Sequence, residues 1–319
     1  LSHRSLLRSS GGSVPDPGTA ENLRPDRRDY PRHMLDRRLL LVSGKGGVGK
    51  SAVSAALAIL AARRGKRVLA LAMTDRIGLA AHLGIDQLVY KPTRIRPGLY
   101  AASVDRSHAL DEYLGLQLSL ARSLPTRQLS NALSVLADTA PGIREIVTMG
   151  KPVFEVWREE WDLVIADAPP LGQLQSYLAA PETITGLVPT GAVREQASRL
   201  EATLSDPETS SLLLVTIPEE LAVQETREAI AHIDATRQVL IAGVVANRVL
   251  DPLDLSRASI EAVVDGPARA AGLLHTGLVE AQSTWLDSLP DDPRLPFLFG
   301  FHTPVEVAAR LAEICESFS

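Results

Sequence analysis

In LLLVSGKGGVGKSAV, residues 39–53, an apolar run enters a glycine-rich loop and leaves it directly into a helix, and few folds accommodate that succession. Gly44-x-x-x-x-Gly49-Lys50-Ser51 is the phosphate-loop pattern, which chance supplies roughly once in a hundred chains of this length and composition. The glycines let backbone N–H groups wrap a phosphate chain, and the start of the Ala-rich helix Ala52–Ala62 adds its partial positive charge. Lys50 is suited to neutralise β- and γ-phosphate charge, and Ser51 to ligate Mg2+. Lys45 has no part in that scheme. A side chain at the second loop position cannot easily fold back onto phosphates that its own backbone encloses, so its place is outside the cradle.

The rest of the chain fits a parallel sheet around this loop. From residue 38 short apolar runs alternate with helical patterns, as in a sheet covered on both faces. Candidate strands are Leu39–Ser43, Arg67–Ala72, Leu99–Val104, Leu163–Asp167, Ser211–Ile217, Ile241–Asn247 and Leu295–Phe299. The predicted fold is therefore α/β, a mostly parallel sheet of about seven strands flanked by helices, with a helical subdomain inserted. The insertions fall at about 105–161 and 172–209, intervals too long for simple crossovers.

Within the first insertion, Leu129, Ala132, Leu133, Leu136 and Ala137 follow helical spacing, and LGLQLSL (114–120), though it alternates at period two, reads as helix with its neighbours Tyr113 and Ala121. Ile143, Ile146 and Val147 begin a further stripe behind Pro141, which Gly150 and Pro152 are predicted to end. Trp157 and Trp161 are predicted core anchors, and Cys315 a buried small hydrophobe.

Residues 1–35, rich in Ser, Pro, Gly and Arg and without a period, are expected to be a disordered tail before a phosphate-loop domain at 36–319. No apolar stretch suggests a secretory leader there, and no window reaches the 18 or so apolar residues of a membrane span. A single cysteine excludes an internal disulfide framework and a thiolate zinc site made within one chain. The net charge is −5, but residues 1–38 hold eight Arg against five acids, which leaves 25 basic against 33 acidic residues beyond them. An acidic body argues against nucleic acid or anionic lipid as a partner. Arginine outnumbers lysine 28 to 5, so each lysine invites attention.

The octapeptide GKGGVGKS resembles the deviant phosphate loop of a class of P-loop ATPases that includes partitioning and septum-site ATPases, nitrogenase iron protein, and the arsenite-pump and tail-anchored-protein-targeting ATPases. Further stretches are similar to the last branch, the arsenite-pump/tail-anchored-protein-targeting (anion-transporting) ATPase family. Asp75, ending an apolar strand, stands at the first-switch position, with Arg76 and Ile77 where the family has Pro-Ala. In VIADAPPLGQ, Asp167, Pro169 and Gly172 match the second switch, with Ala168, Leu171 and Gln173 in place of two threonines and a histidine. APGIREIV (140–147) resembles the family's Pro-Gly-Ile-Asp-Glu segment, TIPEELAVQETREAI (216–230) its Pro-Glu…Glu-Thr helix start, and VVANRV brings Asn247 to the adenine-reading position.

The resemblance implies ATP and Mg2+ as cofactors, a cradle of Gly44, Lys45, Gly46, Gly47, Val48, Gly49, Lys50, Ser51 and Ala52, and a cytoplasmic dimer. It also implies that Asp75 orients the attacking water, that Ser51 and Asp167 serve the metal, that Glu219 lies near the partner subunit's nucleotide, and that Lys45 reaches the partner's site in trans. Catalysis would rest on Asp75, Lys45 and Lys50. The chain lacks the cysteines that arsenite binding and the zinc clasp of the targeting factors need, so metalloid transport is not expected.

Three accounts stand open. The first is an ATP-hydrolysing dimeric switch, homodimer or heterodimer with a paralogue, that couples nucleotide state to a client protein such as an apolar helix, with membrane contact only through that client. The second is a weakly hydrolysing scaffold or regulatory subunit paired with an active paralogue. The third, a partitioning-type positioning ATPase, sits poorly with Glu306, Glu313 and Glu316 in the C-terminal helical stretch.

Overall fold

The computed structural model of the chain describes residues 32–105, 108–109, 142–263, 266–289 and 293–317. Among these residues, eight strands form one sheet: β1 (Leu39–Gly44), β2 (Val68–Ala72), β3 (Thr93–Arg96), β4 (Leu99–Ser103), β5 (Leu163–Asp167), β6 (Ser210–Thr216), β7 (Leu240–Val249) and β8 (Arg294–Pro296). Their order is β3-β4-β2-β5-β1-β6-β7-β8, parallel throughout except for the β3–β4 pair. The architecture is α/β, as the sequence predicts. The strand missing from the predicted seven is β3, a four-residue edge strand reading TRIR, joined to β4 through Pro97-Gly98 with Gly98 at φ +75°.

β1 is central, and all six of its residues are buried. Successive side chains of a strand point to opposite faces, so Leu40 and Val42 enter one core while Leu39 and Leu41 enter the other. The first core receives α1 (Arg32–Leu35), α2 (Lys50–Arg63) and α3 (Arg76–Leu83). The second receives α4 (Ile143–Trp157), α5 (Leu171–Leu187), α6 (Ala192–Ser205) and much of α7 (Glu220–Thr236). A short α8 (Arg257–Glu261) and α9 (Pro267–Leu286) follow β7, in a region where the sequence reading assigns no element. The first core is closed by α10 (Pro304–Ser317), whose Ala308, Leu311, Ala312 and Cys315 are buried. Every residue of α2 from Ala52 to Ala61 is buried, because the sheet lies on one side of it and α10 on the other.

α4 corrects one expectation. It runs through Gly150 and Pro152 to Trp157 instead of stopping there. A proline inside a helix costs about 3 kcal/mol, but burying Met149, Val153 and Val156 contributes about 1.5–3 kcal/mol each, so packing overrides the local preference. Trp157 and Trp161 are anchored by hydrogen bonds, Nε1 of the former to Thr203 Oγ1 (3.0 Å) and of the latter to Glu155 Oε2 (2.8 Å). The predicted helical stretches at 114–120 and 129–137, and nearly all of the predicted tail, lie outside the described residues.

Candidate active site

The glycine-rich loop joins Gly44 at the end of β1 to Lys50 at the start of α2. Two glycines have no substitute there. A Cβ on Gly44 would stand 2.0 Å from the carbonyl oxygen of Val215 on β6, so the close approach of the two strands depends on its absence. Gly49 adopts φ +94°, and a Cβ there would lie 2.4 Å from Asn247 Nδ2. Val48 is fully buried and pins the loop, and Asn247, itself buried at β7, donates from Nδ2 to the Val48 carbonyl (2.9 Å). In front of Gly46 and Gly47 there is open space, as a backbone cradle requires.

Lys50, Ser51, Asp75 and Asp167 converge beside this loop. They line a cleft of about 460 Å3 together with Gly46, Gly47, Thr74, Ala168, Pro170 and Gln173. Asp167 is the last residue of β5, directly opposite Val42 of β1, which brings it beside the first turn of α2. Its carboxylate accepts from Ser51 Oγ (2.6 Å) and, more distantly, from Ser54 Oγ (3.4 Å). Burial pushes the Asp167 carboxyl up to about 6; the Ser51 bond and the Lys50 charge oppose the rise, and Asp75 adds to it. Burial likewise holds the Lys50 ammonium below its usual range, against the attraction of Asp167 and Asp75. Lys50 Nζ donates to the Lys45 carbonyl (3.1 Å), across its own loop.

Asp75 caps α3, with Oδ1 accepting from the N–H groups of Ile77 (3.1 Å) and Gly78 (3.0 Å). Gly78 matters for what stands around it. A Cβ there would come within 2.5 Å of Asp75 Oδ2 and 2.9 Å of Ser51 Oγ, so any side chain at this position would displace the ends of both. Ser43 Oγ donates to the Pro169 carbonyl (2.6 Å), tying the end of β1 to the segment after β5.

The remaining expected residues fall in three places. Ala52 and Val48 lie beneath the loop as part of the core. Glu219, at the N-terminal cap of α7, lines a different cleft of about 540 Å3 at the carboxyl ends of β6, β7 and β8, with Arg248, Leu274, His275, Phe297 and Phe299 among its walls. Lys45 turns out of the phosphate cleft, and its Nζ forms an ion pair with Glu225 of α7. Sequence reasoning missed Gly78, Ser54 and Glu225. Signals existed for two of them, because Gly78 follows Asp75 in the first turn of its helix and Ser54 sits one turn beyond Ser51.

Both clefts open at the carboxyl ends of parallel strands. From β1 the chain leaves to one side of the sheet for β2, and from β5 it crosses to the other side for β6, so the loop sits where strand order reverses and ligands of open α/β sheets bind. Sheet and loop together define a P-loop nucleoside-triphosphatase fold. The family described as Anion-transporting ATPase matches residues 37–190 and 185–260, more than two thirds of the chain. A putative ATPase of Mycobacterium bovis and the ATPase BagA of Mycobacterium tuberculosis are each 33% identical over 264 residues, 78% of this chain and 77% of theirs. An arsenical pump-driving ATPase of Acidiphilium multivorum is 30% identical over 226 residues, 63% of this chain and 38% of its own. The chain belongs to the anion-transporting ATPase family and is an ATP-hydrolysing enzyme.

The residues of the cleft fit a magnesium nucleotide. The open cradle at Gly46 and Gly47, the half-buried ammonium of Lys50 and the hard oxygens of Ser51 and Asp167 are the donor set that phosphates and Mg2+ require. Among the described residues there is no group of three or more His, Cys, Asp or Glu that could hold a metal ion. No described helix is long and apolar enough to cross a membrane.

Proposed function

We propose that the protein is a dimeric, Mg2+-dependent ATP switch of the cytoplasm that couples nucleotide state to binding of a client protein. One observation carries this reading: Lys50, Ser51, Asp75 and Asp167 share a single cleft while the side chain of Lys45 points away from it. In this account the loop from Gly44 to Ala52 holds the phosphates through its backbone N–H groups, and Lys50 balances their charge. Ser51 and Asp167 hold the metal, whose chemistry is to draw charge from the β- and γ-phosphate oxygens. Asp75 orients the attacking water with the carboxylate that also caps α3. Asn247, its amide nitrogen engaged by Val48, reads adenine through its carbonyl oxygen, and Glu219 approaches the partner's nucleotide.

Lys45 completes the site of the second subunit. Changing Lys45 to Ala should leave ATP affinity nearly intact and lower turnover by about three to five powers of ten, the scale of such residues acting in trans. Equilibrium binding of a fluorescent ATP analogue alongside steady-state hydrolysis checks this, and a parallel fall of both would refute the role.

A second reading has an observation of its own. Ala168 and Leu171 are buried and apolar, and Gln173 lines the cleft, at positions where the family carries Thr, Thr and His. That favours a slow subunit working with a paralogue, and single-turnover hydrolysis by the purified chain distinguishes the two. As for the client, Met149 is fully buried and serves the core, which leaves exposed apolar residues such as Leu187 and Val193 as candidate contacts. The positioning account is disfavoured by α10, whose apolar face is packed on α2 and not available to a membrane.

A further inference from the structure

The ion pair between Lys45 and Glu225 bridges 180 residues of sequence and joins the phosphate loop to α7. Both members are presented by fixed backbone. The loop is set by the close approach of Gly44 to β6 and by the buried Val48. The turn of α7 that carries Glu225 is anchored by Ala222, Val223 and Thr226, all buried, and Thr226 Oγ1 donates to the Ala222 carbonyl (2.7 Å). Lys45 is therefore held at both ends, its carbonyl by Lys50 and its ammonium by Glu225. The two side chains keep 31% and 43% of their exposure, so the pair is accessible to water and breakable.

We infer that Glu225 is an in-chain latch on Lys45: in the lone subunit it holds the ammonium against α7, and this ion pair must open before Lys45 can serve a partner. The inference rests on the proposed trans role of Lys45 and assigns Glu225 as a positioning residue for the reaction. Its strength follows from its exposure. An ion pair this open to water shifts an equilibrium by on the order of two- to fivefold, enough to bias the free subunit and too little to oppose assembly once a second copy binds.

The test uses the full chain with Glu225→Gln and Glu225→Asp, measuring ATP turnover against protein concentration and ionic strength. Glu225→Gln should raise turnover about two- to fivefold at low protein concentration, with the affinity for ATP unchanged. The ratio of variant to parent should fall towards one as salt screens the pair in the parent, a dependence that a merely structural role for Glu225 would not produce. Glu225→Asp, which keeps the charge, should fall back towards the parent. Turnover that is unchanged or lower in Glu225→Gln, while Lys45→Ala is inactive, overturns the latch and leaves the trans role standing. Full turnover in Lys45→Ala removes the trans role itself, and the latch with it.

Discussion

Changing Asp167 to Asn should stabilise the nucleotide-free chain. Asp167 is only 2% exposed, and burial raises its carboxyl from 3.8 to about 6. Between those values the folded state retains a proton that the unfolded chain has released. The folded state then binds more protons, so the free energy of unfolding falls as pH rises through this window and levels off above it. A shift of this size corresponds to about 3 kcal/mol, with the attraction of Lys50 already included in the value of about 6. Asparagine matches the shape of the protonated acid and carries no charge at any pH. The variant should therefore equal the parent near pH 4 and exceed it by about 3 kcal/mol, or about 5 °C in Tm, at pH 8. Urea unfolding of both chains from pH 4 to 8 without nucleotide provides the measurement. On the metal role proposed for Asp167, Mg-ATP should reverse the order, because the parent would recover its buried charge as a metal ligand while the variant cannot. If the two stability curves run parallel across the pH range, or if the variant is the weaker at pH 8, the burial cost assigned to Asp167 is wrong.

Three glycine and asparagine positions should respond differently. Gly44→Ala forces a methyl group against the backbone of β6, which should cost on the order of 3 kcal/mol or more and show as lost Tm or insoluble expression. Gly78→Ala displaces only the side-chain ends of Asp75 and Ser51, so Tm should move by a few degrees at most while kcat falls by about tenfold or more, read by hydrolysis at saturating ATP. Asn247→Ala leaves the Val48 carbonyl without its donor and should destabilise the chain by about 1–3 kcal/mol in chemical unfolding, with nucleotide binding weakened in parallel.

What the sequence disclosed, and what it hid, divides along the range of the interactions concerned. The phosphate loop was legible because its glycines and Lys50 lie within eight residues, and Asp75 and Asp167 because each follows or ends an apolar run, Asp167 closing β5 and Asp75 standing three residues beyond β2. β3 escaped because TRIR carries charge on an edge where only one neighbour pairs with it, although Pro97-Gly98 marked the turn. α9 escaped although Leu274, Leu278 and Trp285 stand at helical spacing, because Gly272 and Gly277 interrupt the run and weaken a helical reading. Pro152 misled because its local cost is visible in sequence while the burial that offsets it is not. The attachment of Lys45 to Glu225 and of Asn247 to Val48 could not be read at all, since nothing local encodes a contact between residues 180 or 199 apart.

α2 has no face of its own to offer to water. Its outer cover, α10, begins about 240 residues further along the chain. At synthesis rates of about 5–20 residues per second, the Ala- and Leu-rich α2 emerges from the ribosome some tens of seconds before that cover exists. During that interval the segment that will cradle phosphate is an exposed apolar helix, a substrate for chaperones rather than for nucleotide. Truncations that remove α10 should then accumulate as aggregates, and the enzyme becomes competent only late in its own translation.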